Sequence, residues 1–352
     1  MPDALLELEN SSARHCFSKR RRDAGATPLL EVDNLTVQYC PQGPPEIANV
    51  SFAIAPGEVV GLAGESGCGK TTLALSLLRL LPPSARVVTG SIRFRGQELL
   101  ALSERQLEAI RGARISMVLQ EPGIALHPML PVGEQIADVL QGHNPWSRRR
   151  CREEATRMLL RVHLKNVGRI YAAYPHQLSG GQRQRVVIAQ ALACQPDLIV
   201  ADEPTASLDS RTQVEILNVL RELRERSGTA MLLVSHNPAV LAMLADRVMV
   251  IHAGRIIEQS DIAANRPGRE PDRVRLVPVC TGGGLAELEL VPARRRPVER
   301  SSLRRSAEDV KKSDLTGWRT PSGVRFREPS RTFADLKVCA SRFFHSFARV
   351  PA

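Results

Sequence analysis

Short apolar runs recur through the middle of the chain, each set between stretches of helical periodicity: Val59-Val60-Gly61-Leu62-Ala63, Ile115-Ser116-Met117-Val118-Leu119, Leu198-Ile199-Val200-Ala201, Met231-Leu232-Leu233-Val234 and Val248-Met249-Val250-Ile251. Runs without polar alternation predict parallel strands buried on both faces. Residues 30–39, 50–54 and 91–95 instead alternate apolar and polar side chains, the pattern of half-exposed antiparallel strands. Residues 121–178 differ again. Pro122, Pro128, Pro131 and Pro145 interrupt helical patterns such as that over 152–162, which predicts a mainly helical insert. The fold class expected is therefore α/β, with a parallel core, an antiparallel β part and a helical part.

The ends of the chain lack this patterning. Residues 1–27, with the basic cluster Lys19-Arg20-Arg21-Arg22, read as a loose arm. After Gln259, Pro and Arg become frequent and strand periodicity is absent through Arg331, so a boundary is placed near 260 and residues 260–352 are expected to be a poorly structured tail. Near its end, Phe333, Leu336, Ala340, Phe343, Phe344 and Phe347 recur at helical spacing with Lys337, Arg342 and Arg349 among them. A short basic amphipathic helix over 333–350 would suit a membrane leaflet or a partner surface.

The net charge is +11, carried mostly by that tail, and aromatic residues are only 4% of the chain. The combination argues against a basic stacking platform for nucleic acid. No apolar run approaches the ~18–20 residues needed to span a bilayer, and Asp3, Glu7 and Glu9 around Leu5-Leu6 are unlike a signal peptide. A cytosolic chain is expected. Its seven cysteines contain no Cys-x-x-Cys pair, which argues against a structural zinc or a disulfide framework.

Candidate chemistry begins where the first apolar run ends. Gly64-Glu65-Ser66-Gly67-Cys68-Gly69-Lys70-Thr71 lies between that strand and a helical stretch over 72–81, the context of a phosphate-binding loop. Its glycines let backbone N–H groups turn inward around phosphate oxygens, and the helix start adds a positive dipole end. Lys70 would bridge the β- and γ-phosphates and the Thr71 hydroxyl would ligate Mg²⁺. The apolar run at 198–201 ends in Asp202-Glu203, adjacent carboxylates delivered by a parallel strand to the crevice at its carboxyl end. Asp202 can hold the Mg²⁺ shell, and Glu203 can accept a proton from an attacking water. Between the two, Leu178-Ser179-Gly180-Gly181-Gln182-Arg183-Gln184-Arg185 precedes a helical stretch over 186–194, a second anion-facing helix start with Ser179 as its cap.

That last stretch resembles the signature loop of the ATP-binding-cassette (ABC) family. The whole set from Gly64 to Gln259 is similar in order and spacing to its ATPase subunit, a P-loop NTPase cassette. Residues 28–259 are accordingly read as the cassette. Gln120 resembles the family's Q-loop glutamine, Ser207-Leu208-Asp209 its D-loop and Ser235-His236 its switch histidine. The resemblance implies ATP and Mg²⁺ as cofactors and a head-to-tail dimer in which Ser179 and Gly181 of one cassette reach the γ-phosphate held on Lys70 of the other, with Gly180 and Gln182 also among the nucleotide-binding residues. Gln120 would sense Mg²⁺ and the attacking water, His236 would contact the γ-phosphate, Asp209 would link the sites, Tyr39 would stack on adenine and Thr72 would be among the nucleotide-binding residues.

The stretches Gly90-Ser91-Ile92-Arg93-Phe94-Arg95-Gly96, Gln120-Glu121-Pro122 and Tyr174-Pro175-His176-Gln177 are similar to the cassettes of bacterial oligopeptide, dipeptide and nickel importers. That subfamily implies integral membrane permease subunits, a second cassette identical or paralogous, and indirectly a solute-binding protein. It places the chain peripherally on the cytoplasmic face of the inner membrane, with residues 121–134 as the surface that receives the permease. Three departures stand out. Cys68 replaces a more usual Ser or small residue, and beside a helix N-terminus a thiolate is expected to be favoured. Asn237-Pro238 follows His236 where Asp and an apolar residue are usual. The His-Pro-Tyr-Thr stretch and cysteine-containing tail of peptide importers are missing. A soluble cassette acting on nucleic acid or ribosomes, or an assembly-defective cassette with an altered tail, stand as alternatives.

Overall fold

A computed structural model of the 352-residue chain describes residues 27–40, 43–206 and 208–262, together with the backbone of two later strands. The arm up to residue 26, Ser207 and the amphipathic pattern over 333–350 lie outside the described residues.

Two sheets and a group of helices make up the cassette. Strands β1 (Leu30–Gln38), β2 (Ile47–Ile54), β4 (Arg86–Phe94) and β5 (Gln97–Glu98) form an antiparallel sheet in the order β2-β1-β4-β5. Strands β3 (Val59–Ala63), β6 (Ile115–Val118), β7 (Leu198–Asp202), β8 (Ala230–Val234), β9 (Arg247–His252) and β10 (Arg255–Asp261) form the second, ordered β10-β9-β3-β8-β7-β6. All of its neighbours pair in parallel except β10, which returns antiparallel to β9.

The apolar runs are buried on both faces, as their lack of alternation predicts, and the structure sorts them by period two. Val59, Ala63, Ile199, Ala201, Met231 and Leu233 pack into one core with the helices of the insert. Val60, Leu62, Leu198, Val200, Leu232 and Val234 pack into another with the antiparallel sheet and α1 (Lys70–Leu77). After α2 (Glu104–Glu108), the insert contains α3 (Pro122–Ala125), α4 (Val132–His143), α5 (Arg148–Arg161) and α6 (Val167–Ala172). On α5, Ser147 caps the first turn and Cys151, Ala155, Met158 and Leu159 form the buried stripe, at the i, i+4, i+7, i+8 spacing of an amphipathic helix. Then follow α7 (Gly180–Leu192), α8 (Ser210–Ser227) and α9 (Pro238–Leu244), the last with Pro238 in its first turn and the Asn237 side chain as cap.

Several boundaries differ from the sequence expectation for identifiable reasons. β1 and β2 slip in register around Asn34 and Asn49, both in the left-handed region at φ 49° and 53°, so β2 begins three residues before its clean alternation does. α1 spans Lys70–Leu77 rather than 72–81 because Arg79 turns to φ 51° and stops it. α7 begins at the glycines themselves, since Ser179 caps it there. The tail expectation needs a correction: Val274–Cys280 (β11) and Ala286–Pro292 (β12) pair as an antiparallel ladder in a stretch read as free of strands. Ala286, Leu288 and Leu290 alternating with Glu287 and Glu289 are the period-two signal.

Candidate functional site

The sheet order brings the carboxyl ends of β3, β8, β7 and β6 to one edge. In the parallel register Leu62 lies beside Val234, Val234 beside Asp202, and Ala201 beside Val118. Hence the segments leaving these strands, at Gly64, Ser235, Glu203 and Leu119, emerge side by side, although they are far apart in the chain. Open parallel sheets bind ligands at this edge.

The loop 64–71 leaves β3 with Glu65, Ser66 and Gly67 exposed at its crest and Cys68, Gly69 and Lys70 buried at its base. Two close approaches explain glycine at its ends. A Cβ on Gly64 would lie 2.4 Å from the Ile251 carbonyl oxygen, and one on Gly69 would lie 2.6 Å from Ile47 Cδ1 and 2.9 Å from the Glu46 carbonyl oxygen. Lys70 is only 7% exposed. Its Nζ donates to the carbonyls of Gly64 at 2.9 Å and Glu65 at 2.7 Å, which folds the ammonium back over the cradle.

Beside it, Asp202 is 2% exposed and accepts a hydrogen bond from the Thr71 hydroxyl, while its Oδ1 has no partner. Burial pushes the Asp202 carboxyl up to about 6, helped by the charge of Glu203 and opposed by the Thr71 hydrogen bond and the charge of Lys70. A buried carboxylate oxygen without a donor is costly in a folded chain, and a cation held jointly with Thr71 would satisfy it. The residues present therefore fit a hard divalent ion bound through oxygen.

Glu203 is the next residue and has φ 48°, a conformation that costs a non-glycine residue on the order of 1–3 kcal/mol. Its N–H donates to the Val234 carbonyl at 3.0 Å, which keeps the turn tight. The conformation turns its carboxylate to His236, whose Nδ1 lies 2.7 Å from Oε1 and 2.6 Å from Oε2. The carboxylate side is mostly buried and the imidazole is 60% exposed. The pair presents a held carboxylate and an open ring edge at the ends of β7 and β8, the strand next to β3 and its loop.

The remaining candidates divide into two groups. Tyr39, at the end of β1, places its hydroxyl 3.3 Å from the Thr72 hydroxyl in α1, and Gln120 is exposed two residues beyond β6. Tyr39 thus touches the helix that follows the loop, and Gln120 stands at the same sheet edge, at the end of β6. Ser179, Gly180, Gly181 and Gln182 instead form the start of α7, where Ser179 and Gln182 complete a reciprocal cap. Gly181 packs on Thr212, to which a Cβ would approach within 2.7 Å. The Thr212 amide and hydroxyl donate to Asp209 at 3.0 and 2.7 Å, and these bonds hold the Asp209 carboxyl below its ordinary range. Among the described residues no hydrogen bond or ion pair joins this second group to the loop 64–71.

A family model described as ABC transporter matches residues 47–206. A dipeptide transport ATP-binding protein of Bacillus subtilis is 42% identical over 233 residues, covering 65% of this chain and 70% of that one. A putative peptide import ATP-binding protein of Brucella melitensis is 43% identical over 237 residues, covering 67% and 71%. The chain belongs to the ABC transporter family. A probable peptide ABC transporter ATP-binding protein of Sinorhizobium fredii is 46% identical over 217 residues, and the match spans 61% of this ABC chain and 65% of that relative's length. Among solved structures, the dimeric post-hydrolysis state of the ATP-binding cassette MJ0796 bound to ADP and Pi is similar with a TM-score of 0.60 at 29% identity, covering 66% of this chain and 98% of that one.

One sequence expectation for this ABC cassette, a favoured thiolate at Cys68, is overturned. Burial, the largest influence, pushes the thiol up, and the nearby Lys70 ammonium, 3.9 Å away, only partly offsets this. The side chain points beneath the loop, so that a Cβ on Gly64 would lie 2.6 Å from its sulfur. Alkylation near neutral pH should therefore modify the exposed Cys40 well before Cys68 in the folded, nucleotide-free chain. Peptide mass spectrometry of a labelling time course checks this, and faster modification of Cys68 would contradict it.

Other features had no readable signal. The Glu203–His236 contact joins residues 33 positions apart. Gln135, 4% exposed, accepts from the His127 amide and donates to the His127 and Leu130 carbonyls at 2.8, 3.0 and 2.8 Å. It pins the segment before α4, and its only trace in the sequence is a polar residue on an otherwise apolar helix face.

Proposed function

We propose that this chain is the ATP-binding and ATP-hydrolysing subunit that energises a membrane permease importing peptides or related small solutes. The observation that carries the ATPase part is the Glu203–His236 pair at adjacent strand ends beside the loop 64–71 and the orphaned Asp202 Oδ1. The names of the relatives support the transport part, and they lend nothing to a cassette acting on ribosomes or nucleic acid.

In this reading the backbone N–H groups of the loop and the start of α1, Thr72 included, cradle the phosphates of ATP, with Tyr39 against adenine. Lys70 leaves the Gly64 and Glu65 carbonyls and moves to the β- and γ-phosphates. Thr71, Asp202 and Gln120 would hold Mg²⁺, which would neutralise phosphate charge. Glu203 accepts the proton of the attacking water while His236, through Nδ1, keeps that carboxylate in place and offers its other ring nitrogen to the γ-phosphate. The start of α7, with Ser179 to Gln182 outside this site, is completed by a second cassette of the same or a paralogous chain, which would use those N–H groups on its own nucleotide. Asp209 stands beside them as the link between sites.

Among the described residues no helix is long and apolar enough to cross a membrane. In this reading, which the relatives' names as ATP-binding proteins support, the permease is a separate partner and this chain is peripheral, on the cytoplasmic face of the inner membrane. A solute-binding protein would deliver cargo to the permease from the other side. Residues 121–134 are the proposed docking surface. There Met129 is 75% and Leu130 40% exposed, on a segment held rigid by Gln135. Replacing both with Asp should leave ATP affinity of the isolated chain unchanged and weaken association with the permease at least tenfold, which corresponds to about 1.4 kcal/mol. Affinity purification of the tagged full-length chain from detergent-solubilised membranes of its own cells tests the whole reading. Recovery of a multi-spanning permease is expected, and recovery of ribosomal or DNA-associated proteins alone would overturn it.

A further inference from the structure

The turn between β9 and β10, Ala253-Gly254, belongs to none of the motifs above, yet it lies against the phosphate loop. Gly254 donates its N–H to the Cys68 carbonyl at 3.1 Å, and its own carbonyl accepts from the Ala48 amide at 2.9 Å. It has φ +74°, and a Cβ there would lie 2.3 Å from the Glu46 carbonyl oxygen and 3.3 Å from Ile47 Cα. The same Glu46 carbonyl faces Gly69 from the other side. Three backbones, those of the loop, the start of β2 and this turn, thus meet without room for a side chain. The hairpin also reaches the other end of the loop, where the Ile251 carbonyl oxygen occupies the place of a Gly64 Cβ.

We propose that Gly254 is a positioning residue for phosphate binding, acting through the Cys68–Gly69 peptide. The chain contains no cis peptide bond among its described residues, and in a planar trans peptide the C=O and N–H point in opposite directions. Anchoring the Cys68 carbonyl on the hairpin therefore turns the Gly69 N–H the other way, away from the hairpin and into the cradle. Consistent with a donor reserved for a ligand, the Gly69 N–H has no partner among the described residues. An unanchored carbonyl would be free to rotate inward and present oxygen, not N–H, to the phosphates. The inference rests on the reading of loop 64–71 as the ATP site.

The test compares three proteins, wild type, Gly254→Ala and Gly96→Ala, by ATP, ADP and tripolyphosphate binding, by KM and kcat, and by thermal melting. Gly96 also has positive φ, +80°, but nothing within 4 Å of its Cβ position, so its substitution carries the backbone strain without touching the loop. Gly254→Ala is expected to weaken all three phosphate ligands at least tenfold and to raise KM more than it lowers kcat. Gly96→Ala should bind as wild type does. Wild-type affinity in Gly254→Ala, or an equal loss in both variants, would overturn the inference alone. Failure of the wild-type chain to bind ATP would overturn the reading of the loop and the inference with it. Should Gly254→Ala fail to fold, amide hydrogen exchange of the wild-type chain decides: ADP should slow exchange at Gly254 together with residues 67–71. Protection at 67–71 with none gained at Gly254 would refute the anchoring role.

Discussion

Replacing Glu203 with Gln should lower ATP turnover by about 10²–10⁴-fold, the usual contribution of a positioned general base, while nucleotide affinity stays within a few fold. The substitution keeps the volume and shape of the side chain. The amide oxygen can still accept from His236 Nδ1, where the carboxylate now lies at 2.6–2.7 Å, so the strained turn at φ 48° has no new reason to relax. What disappears is the ability to take a proton from water. In the proposed reading ATP binding rests on the loop, on Lys70 and on a cation that Asp202 would help to hold, and the substitution removes none of these. Steady-state phosphate release and binding of a fluorescent nucleotide, measured on the same preparation, separate the two effects. Wild-type turnover in this variant would refute the assignment of Glu203, whereas loss of binding would show that the side chain supports the site and not the chemistry.

The second large effect is expected on the opposite quantity. Lys70→Met should reduce ATP affinity by two orders of magnitude or more, because hydrogen bonds to charged groups are worth roughly 1.5–3 kcal/mol each and the ammonium makes several at once with phosphate oxygens. The fold should survive. Lys70 is the first residue of α1 and only 7% exposed, and Met preserves most of the packing of its stem. Of its two acceptors, Glu65 is an exposed residue of the crest and Gly64 is half-buried beside it, so water can replace the ammonium. Isothermal titration with ATP reads the affinity and thermal melting reads the fold. Near-wild-type affinity would remove the loop from the proposed ATP site. The two variants together give opposite signatures, one binding without turning over and the other failing to bind.

Much of this was legible in the chain because it is local. The loop 64–71 is a contiguous backbone device, so its glycines, lysine and threonine appear together and in order. The cap of α7 is likewise local, since Ser179 and Gln182 are three residues apart and bond to each other's backbone. Apolar runs without alternation announced strands covered on both faces, because each face needs its own partner layer. The positions of Asp202 and Glu203 at a strand end followed from the same run. Periodicity erred where the backbone leaves its regular path, at the left-handed Asn34 and Asn49 that shift the β1–β2 register, and in the tail, where the alternation of residues 286–290 is too short to stand out from its surroundings.

The chemistry of individual side chains was less legible, because it depends on what lies above and below them. Cys68 reads as a thiol at a helix start, which would favour its thiolate. The fold puts it under the loop, where burial outweighs the Lys70 ammonium 3.9 Å away. The Gly254 turn and the Gln135 clamp carry no motif at all, since each acts through backbone groups of another segment.

By itself, then, the sequence determined that this chain builds an ABC-type cassette and nominated the residues proposed to bind phosphate, hold a cation or move a proton, since such capacities belong to residue type and near neighbours. Only the tertiary structure decided which of them act together. The order β9-β3-β8-β7-β6 brings Gly64, Ser235, Glu203 and Leu119 to one edge, the turns after β7 and β8 set His236 against Glu203, and the start of α7 at Ser179–Gln182 stays with Thr212 and Asp209, apart from them. Strand order is set by the packing of layers on both faces of the sheet, a long-range balance that periodicity along the chain reports only as burial, never as neighbourhood.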